Sequence, residues 1–402
     1  MWGKGGTHGT ADATHCAHSP CTISAVRIAV NTRLLLSDKL EGIGWFTHET
    51  LSRITRAHPE HQFIFFFDRP FDERFIYGPN VQGIVLWPPT RHPLLYRMWF
   101  GRSLPEALLR HEADVLLSPD GFLALRSTIA QLAVIHDLNF EHHPEDMPHA
   151  YQRYYRTFFP LFARKASRIV TVSEFSRQDI VAQYGIDPTI IDVAHNGVSE
   201  VYRPLSEDEK VKAREKFTGG EPCFVCVGAL SPRKNIARLL QAFDQFAARN
   251  TGVKLLVVGN RMWWDKRMKS AWKRMKHKDR VVFTGRLGQQ DLRLAMGASM
   301  ALVYVSYFEG FGIPVAEAMK CGVPVIAAQA TSLPEVAGDA AIYCDPFNVD
   351  DIARCMTEIA GDAALRERLS VAGVERAKAF SWERTAAALC AGLLKLPSGS
   401  PT

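Results

Sequence analysis

The chain has 402 residues, 47% hydrophobic and 22% charged, with a net charge of +6. That length exceeds one ordinary core and suits two domains, and the balance excludes an intrinsically disordered chain. The thin cationic excess suits anionic ligands or an anionic membrane surface, and falls short of a nucleic-acid-binding protein.

Residues 1–24 are rich in Gly, His and Thr without an apolar centre, so they read as a disordered leader and not as a signal peptide. From Val26 onward short apolar runs alternate with amphipathic stretches. Strands are expected at 26–31, 62–67, 115–117, 130–135, 169–172 and 190–194, with helices at 45–57, 104–112, 151–166 and 174–184. This alternation predicts a mostly parallel sheet covered on both faces. Turn chemistry at Asn196, Gly197 and Pro204, then a charged stretch from Ser206 to Lys216, interrupts the rhythm. It restarts with strands at 224–227, 254–258, 281–284, 301–305, 323–327 and 341–344. Between 236 and 249, Ile236, Leu239, Leu240, Phe243 and Phe246 recur with helical period. The simplest architecture is α/β, two doubly wound domains joined near residue 200. No segment offers about 20 uninterrupted apolar residues, so no membrane span is expected. The eight cysteines are too sparse for a disulfide framework, which points to the reducing cytoplasm. Cys223 and Cys226 have CxxC spacing but lie in an apolar strand, where residues three apart face opposite ways.

Doubly wound sheets bind ligands beyond the carboxyl ends of their strands. The densest polar signal in such a place is Glu309, Gly310, Phe311 and Gly312, followed by Pro314 and Glu317. Pro314 suits a first helical turn and Gly322 a helix end. A glycine loop opening a helix is a ready anion site. Two carboxylates beside it make sense if the ligand also carries hydroxyls, because a carboxylate accepts two hydrogen bonds from a vicinal diol. After the strand ending at Val227 come Gly228, Arg233, Lys234 and Asn235. Gly228 permits close approach, Arg233 and Lys234 can neutralise a diphosphate, and Asn235 reads as the N-cap of the next helix.

The two-glutamate segment and the Gly228–Asn235 loop resemble glycosyltransferase family 4, in its bacterial polysaccharide mannosyltransferase-like branch, over about Val26 to Trp382. The resemblance implies the GT-B arrangement: two Rossmann-like domains with parallel sheets facing an interdomain cleft. Residues 25–199 form the acceptor side, 200–380 the nucleotide-sugar side, and 381–402 a helix crossing back toward the first domain, then a tail. It implies retention of configuration, no metal and no cofactor. By the same resemblance Glu309 contacts the donor sugar and Glu317 the ribose, while Lys234, with Arg233, holds the diphosphate near Gly310, Phe311 and Gly312. His136 touches the donor sugar, and Gly42 and Gly44 form a glycine loop facing the donor. The loops at Gly259 and Asn260, and at Gly285 and Arg286, border the base. Ala229 departs from the pattern, standing where many members carry arginine, so charge neutralisation falls on Arg233 and Lys234. Without the resemblance, Gly42 and Gly44 would be a plain turn, His136 a structural hydrogen-bonder, and Ser173 an N-cap.

The expected activity is transfer of a hexose from a nucleotide-diphosphate sugar, GDP-mannose first, to a glycan or lipid-linked glycan acceptor in bacterial surface polysaccharide assembly. A UDP-sugar-dependent transferase, a phosphorylase or epimerase, and a silent nucleotide-sugar-binding protein are the alternatives. No nucleic-acid partner is expected. Aromatic and basic residues mix at 92–102 (Tyr96, Arg97, Trp99, Phe100, Arg102), 151–168 and 263–278. Such faces suit contact with the inner face of the cytoplasmic membrane, or else the aromatics pack inward while the cations reach solvent.

Overall fold

Strands buried on both faces read as continuous apolar runs, and the two sheets are built from such runs. The structure is a computed structural model that describes residues 25–37, 40–260 and 264–397. The leader 1–24, Asp38 and Lys39 of the expected glycine loop, Trp263 and the end of the tail lie outside the described residues. The first sheet holds β1 (Arg27–Asn31), β2 (Gln62–Phe67), β3 (Val81–Val85), β4 (Val115–Ser118), β5 (Ala130–Val134), β6 (Arg168–Thr171) and β7 (Ile191–Val193). The second holds β8 (Cys223–Val227), β9 (Lys254–Val258), β10 (Val281–Gly285), β11 (Ala301–Tyr304), β12 (Val325–Ala328) and β13 (Ala341–Cys344).

All pairings are parallel, in the orders β3-β2-β1-β4-β5-β6-β7 and β10-β9-β8-β11-β12-β13. Both are doubly wound Rossmann-like sheets whose order reverses once, between β1 and β4 and between β8 and β11. Those two reversals are where such folds open a ligand crevice.

Local chemistry explains the boundaries. Ser173 caps the helix Glu174–Tyr184 by accepting the Ser176 N–H, as expected. Ser206 and Glu209 form a reciprocal capping box that starts the helix Glu207–Thr218. That helix occupies the stretch read only as charged, because most of its length faces solvent and it lacks an apolar stripe. β3 was not foreseen either: it is a half-exposed edge strand containing Gln82 and Gly83, so no apolar run marks it. Cys223 and Cys226 belong to different core clusters, on opposite faces of the second sheet.

The helix Trp382–Leu394 packs on the helix Gly42–Ala57 and on β6, although it follows the second sheet in sequence. Glu383 pairs with Arg53 at 2.8 Å, the Cys390 thiol meets His58 at 3.1 Å, and the Thr385 hydroxyl donates to the His195 carbonyl at 2.7 Å. Leu389 is fully buried in this seam. Replacing it with alanine should lower the unfolding free energy by about 2–5 kcal/mol in a denaturant titration. An unchanged midpoint would show that the seam carries no stability.

Candidate active site

Two strand ends flank the reversal in the second sheet, and the chain beyond each carries the charged groups. β8 runs into Gly228 and then a short turn, Pro232–Lys234. Asn235 stands at the N-cap position of the following helix, as expected, but its side chain makes no capping bond. It takes a left-handed conformation with φ of 59° and donates its amide to the carbonyls of Val305 at 3.1 Å and Pro346 at 2.5 Å. The asparagine thereby ties the β8 loop to the β11 loop.

β11 leads through Phe308 and Glu309 into the helix Ile313–Lys320, which has Pro314 in its first turn. Gly312 precedes this helix with φ of 93°, a conformation that glycine accepts without strain. Glu309 is buried and central. Its Oε1 receives Lys234 Nζ at 2.5 Å and the Tyr304 hydroxyl at 3.1 Å, and its Oε2 pairs with Arg233 at 2.7 Å. Burial alone would raise the Glu309 carboxyl, but Arg233 and Lys234 outweigh it and hold the group down at about 2. Burial pulls the Lys234 ammonium below its ordinary range despite Glu309. The guanidinium of Arg233 stays charged, since Glu309 more than offsets its burial. Two cations thus share one carboxylate, leaving net positive charge in a shielded place.

Glu317 stands apart. It makes no hydrogen bond to these three groups, and its partner is the buried Tyr202 hydroxyl. Burial lifts its carboxyl to about 7, partly offset by that bond.

The first sheet contributes His136, which follows β5. Its Nε2 bonds to the Pro119 carbonyl at 2.9 Å, and burial keeps the ring neutral. The His136 carbonyl presses on Gly310 so closely that a Cβ there would lie 2.2 Å from it. The Ser173 hydroxyl donates to the Gly310 carbonyl at 2.6 Å. Gly310 is therefore one point where the two halves press together, and only glycine fits there. Further contacts close the same seam. Tyr307 donates to Asp146 at 2.7 Å, and Glu335 accepts the N–H groups of Glu174 at 2.8 Å and Phe175 at 3.0 Å.

Gly42 and Gly44 lie in the first turn of the helix Gly42–Ala57, Gly42 facing open space and Gly44 packed on the Leu34 carbonyl. Neither touches the charged groups. The exposed Arg286 reaches across to this loop and donates to the Leu40 carbonyl at 2.8 Å.

Sequence reading missed Tyr304, Thr331 and Ser332. Thr331 accepts the Glu309 N–H at 3.1 Å and Ser332 donates to the Glu309 carbonyl at 2.9 Å. Both follow β12, so the same strand-end rule points to them. A separate groove of about 720 Å³, lined by Arg27, His61 and Glu112, lies at the amino ends of the first sheet, opposite the edge used by such folds.

Residues 207–376 match the family model described as glycosyl transferases group 1, and residues 40–201 match that of glycosyltransferase family 4. The O-antigen chain mannosyltransferase B of Escherichia coli is 31% identical over 357 residues, covering 86% of this chain and 93% of that one. A GDP-mannose-dependent monoacylated alpha-(1-6)-phosphatidylinositol monomannoside mannosyltransferase of Corynebacterium glutamicum is 24% identical, covering 82% and 89%. Among solved structures, Anabaena Alr3699/HepE in complex with UDP-glucose superposes with a TM-score of 0.72 at 19% identity, covering 92% of this chain and 100% of that one.

The ion triad makes a stability prediction. Glu309→Gln strands the buried Lys234 and the part-buried Arg233 without a counter-charge and should cost up to about 3–5 kcal/mol in the ligand-free protein. Lys234→Met should cost less, because Glu309 keeps Arg233. Thermal unfolding of both variants checks the order, and the reverse order would contradict the triad.

Proposed function

The chain belongs to the glycosyl transferases group 1, the glycosyltransferase family 4 lineage, and on that premise we propose that it moves a mannosyl residue from GDP-mannose, with retention, onto a growing surface polysaccharide or its lipid-linked precursor. It is a glycosyltransferase with two Rossmann-like sheets. The observation that carries the finer reading is the buried meeting of Arg233, Lys234 and Glu309 at the strand reversal of the second sheet.

Breaking the bond from sugar to diphosphate leaves negative charge on the diphosphate oxygens. Arg233 and Lys234 supply preorganised counter-charge there, together with the N–H groups opening the helix Ile313–Lys320. This charge supply supports a reaction run without a metal or cofactor. In the ligand-free protein Glu309 neutralises the same cations, so an arriving diphosphate competes with it and frees its carboxylate to accept sugar hydroxyls. Glu317 is placed on the ribose, and His136 beside the sugar at the seam. Gly42 and Gly44 face the donor, and Arg286 joins the rim near the base. The acceptor hydroxyl attacks on the face the diphosphate leaves, which takes up its proton.

Mannose is favoured because the two sequence relatives described above are mannosyltransferases by name, one of them GDP-mannose-dependent. The UDP-glucose complex of the structural neighbour keeps a UDP-sugar donor as the second reading.

No described helix is long and apolar enough to cross a membrane. We place the work at the cytoplasmic membrane face, through the expected stretch 92–102 with Trp87 before it, but by other apolar residues than the aromatics singled out in the sequence. Tyr96, Trp99 and Phe100 are buried, as are Tyr154, Phe159 and Phe162. These aromatics pack inward, and their neighbouring arginines reach solvent. Among the exposed apolar groups are Trp87 at 73%, Leu94 at 60% and Met98 at 45%, in a stretch that also carries the exposed Arg91, Arg97 and Arg102. An apolar set with cations around it suits an anionic bilayer.

Two outcomes are expected. Glu309→Gln should reduce transfer from GDP-mannose by at least about 100-fold, while GDP affinity holds or rises because a competitor for the cations is gone. Unchanged turnover in a coupled GDP-release assay would remove Glu309 from the donor-sugar role, and turnover only with UDP-sugars would select the second reading. In flotation with phosphatidylglycerol vesicles the protein should co-migrate, and Trp87→Ala with Leu94→Ala should weaken it. A wild-type chain that stays with the aqueous fraction would contradict membrane contact.

A further inference from the structure

Three strand ends of the first sheet meet in a buried polar knot. Arg33 follows β1, Ser118 to Asp120 end and follow β4, and His136 follows β5; β1 and β4 flank the strand reversal. Asp120 is only 7% exposed and Arg33 6%. The Asp120 Oδ2 accepts Arg33 Nε at 2.5 Å, and its Oδ1 accepts Asn31 Nδ2 at 2.8 Å, Ser118 Oγ at 3.1 Å and the Phe122 N–H at 3.3 Å. Both oxygens accept hydrogen bonds, which fixes the carboxylate in the knot as an acceptor. The guanidinium of Arg33 is further caged, 4.6 Å from the Phe122 ring centre and 5.0 Å from that of Tyr96.

The knot grips both ends of the 118–122 loop. Pro119, inside that loop, aims its carbonyl at His136 Nε2, 2.9 Å away. A carbonyl can only accept, so Nε2 carries the proton and the neutral ring has its lone pair on Nδ1. Phe46 stands edge-on to the imidazole at 4.9 Å and restricts its rotation.

We infer that Arg33 and Asp120 are positioning residues for sugar transfer: they fix the 118–122 loop so that Pro119 holds His136 as the Nε2–H form, presenting Nδ1 to accept a hydrogen bond from a donor-sugar hydroxyl. This rests on the reading of His136 as a donor-sugar contact. No proton changes hands in the step. The pair acts through the loop, and its contribution is orientation, in the way outer groups orient the ligands of a metal.

The test uses the full chain with ring-¹⁵N-labelled histidine, comparing wild type with Asp120→Asn and Arg33→Met, and with His136→Ala to assign the resonance. Long-range ¹H–¹⁵N spectra of the wild type should show the Nε2–H tautomer at His136, and both variants should show tautomer averaging there. The variants' kcat should fall about tenfold or more, as expected for a misplaced contact group. Their donor KM should stay within about twofold, because the nucleotide groups are untouched. In a His136→Ala background, Asp120→Asn should cost nothing further. If Arg33→Met does not fold, the near-isosteric Asp120→Asn decides. An unaltered His136 spectrum in the variants, or an undiminished loss of kcat in the His136→Ala background, would overturn the proposal. Should His136→Ala transfer at the wild-type rate, the donor-sugar reading and the catalytic consequence of the knot both fall, and the spectrum tells that failure from a failure of the knot itself.

Discussion

A buried carboxylate shared by one buried and one part-buried cation is the constraint around which the second half of the molecule is arranged. Glu309 ionises in a place that disfavours charge only because Arg233 and Lys234 are within 2.7 Å and 2.5 Å. The desolvation of three charged groups is costly unless every partner is placed, and much of the local structure does that placing. Asn235 stitches the β8 loop to the β11 loop, Tyr304 supplies a hydroxyl from the strand below, and Thr331 and Ser332 hold the Glu309 backbone from β12. With two cations to one anion, the cluster keeps an excess of positive charge at the reversal point of the sheet.

The first half meets the loop that carries this cluster at Gly310 and at several polar contacts around it. The His136 carbonyl and the Ser173 hydroxyl both close on Gly310, and Glu335 seats its carboxylate on the amino end of the helix Glu174–Tyr184. The helix Trp382–Leu394 returns to pack on the first sheet. The Gly310 loop and His136 are therefore held in register by these contacts. A site split between two sheets needs such a seam, because a displacement of about 1 Å between reacting groups is enough to cost two orders of magnitude in rate.

How much of this could be read from the residues follows a physical pattern. Central parallel strands announce themselves, since burial on both faces demands continuous apolar runs, and the loops at their carboxyl ends hold the clustered charges of Arg233, Lys234 and Glu309. Tyr304 was invisible because a buried tyrosine in a strand reads as core. Asn235 stands at the N-cap position that its residue type suggests, but its left-handed backbone sends the side-chain amide to another loop. β3 hid at a half-exposed edge, and the helix Glu207–Thr218 lacks a stripe because most of it faces water. Aromatics among arginines resembled a membrane face, yet Trp99 and Phe100 fill the core. Periodicity over so short a segment does not separate the two arrangements. The Arg33–Asp120 knot joins residues 87 apart in sequence, a pairing that only the fold reveals.

The most direct measurement is a crystal structure of the protein soaked with GDP. The account requires the β-phosphate oxygens to lie within about 3 Å of both Lys234 Nζ and the Arg233 guanidinium, in the range of charge-assisted hydrogen bonds, with the Glu309 carboxylate released from at least one of them. A nucleotide bound elsewhere, with the Arg233–Glu309–Lys234 cluster unchanged, would contradict it.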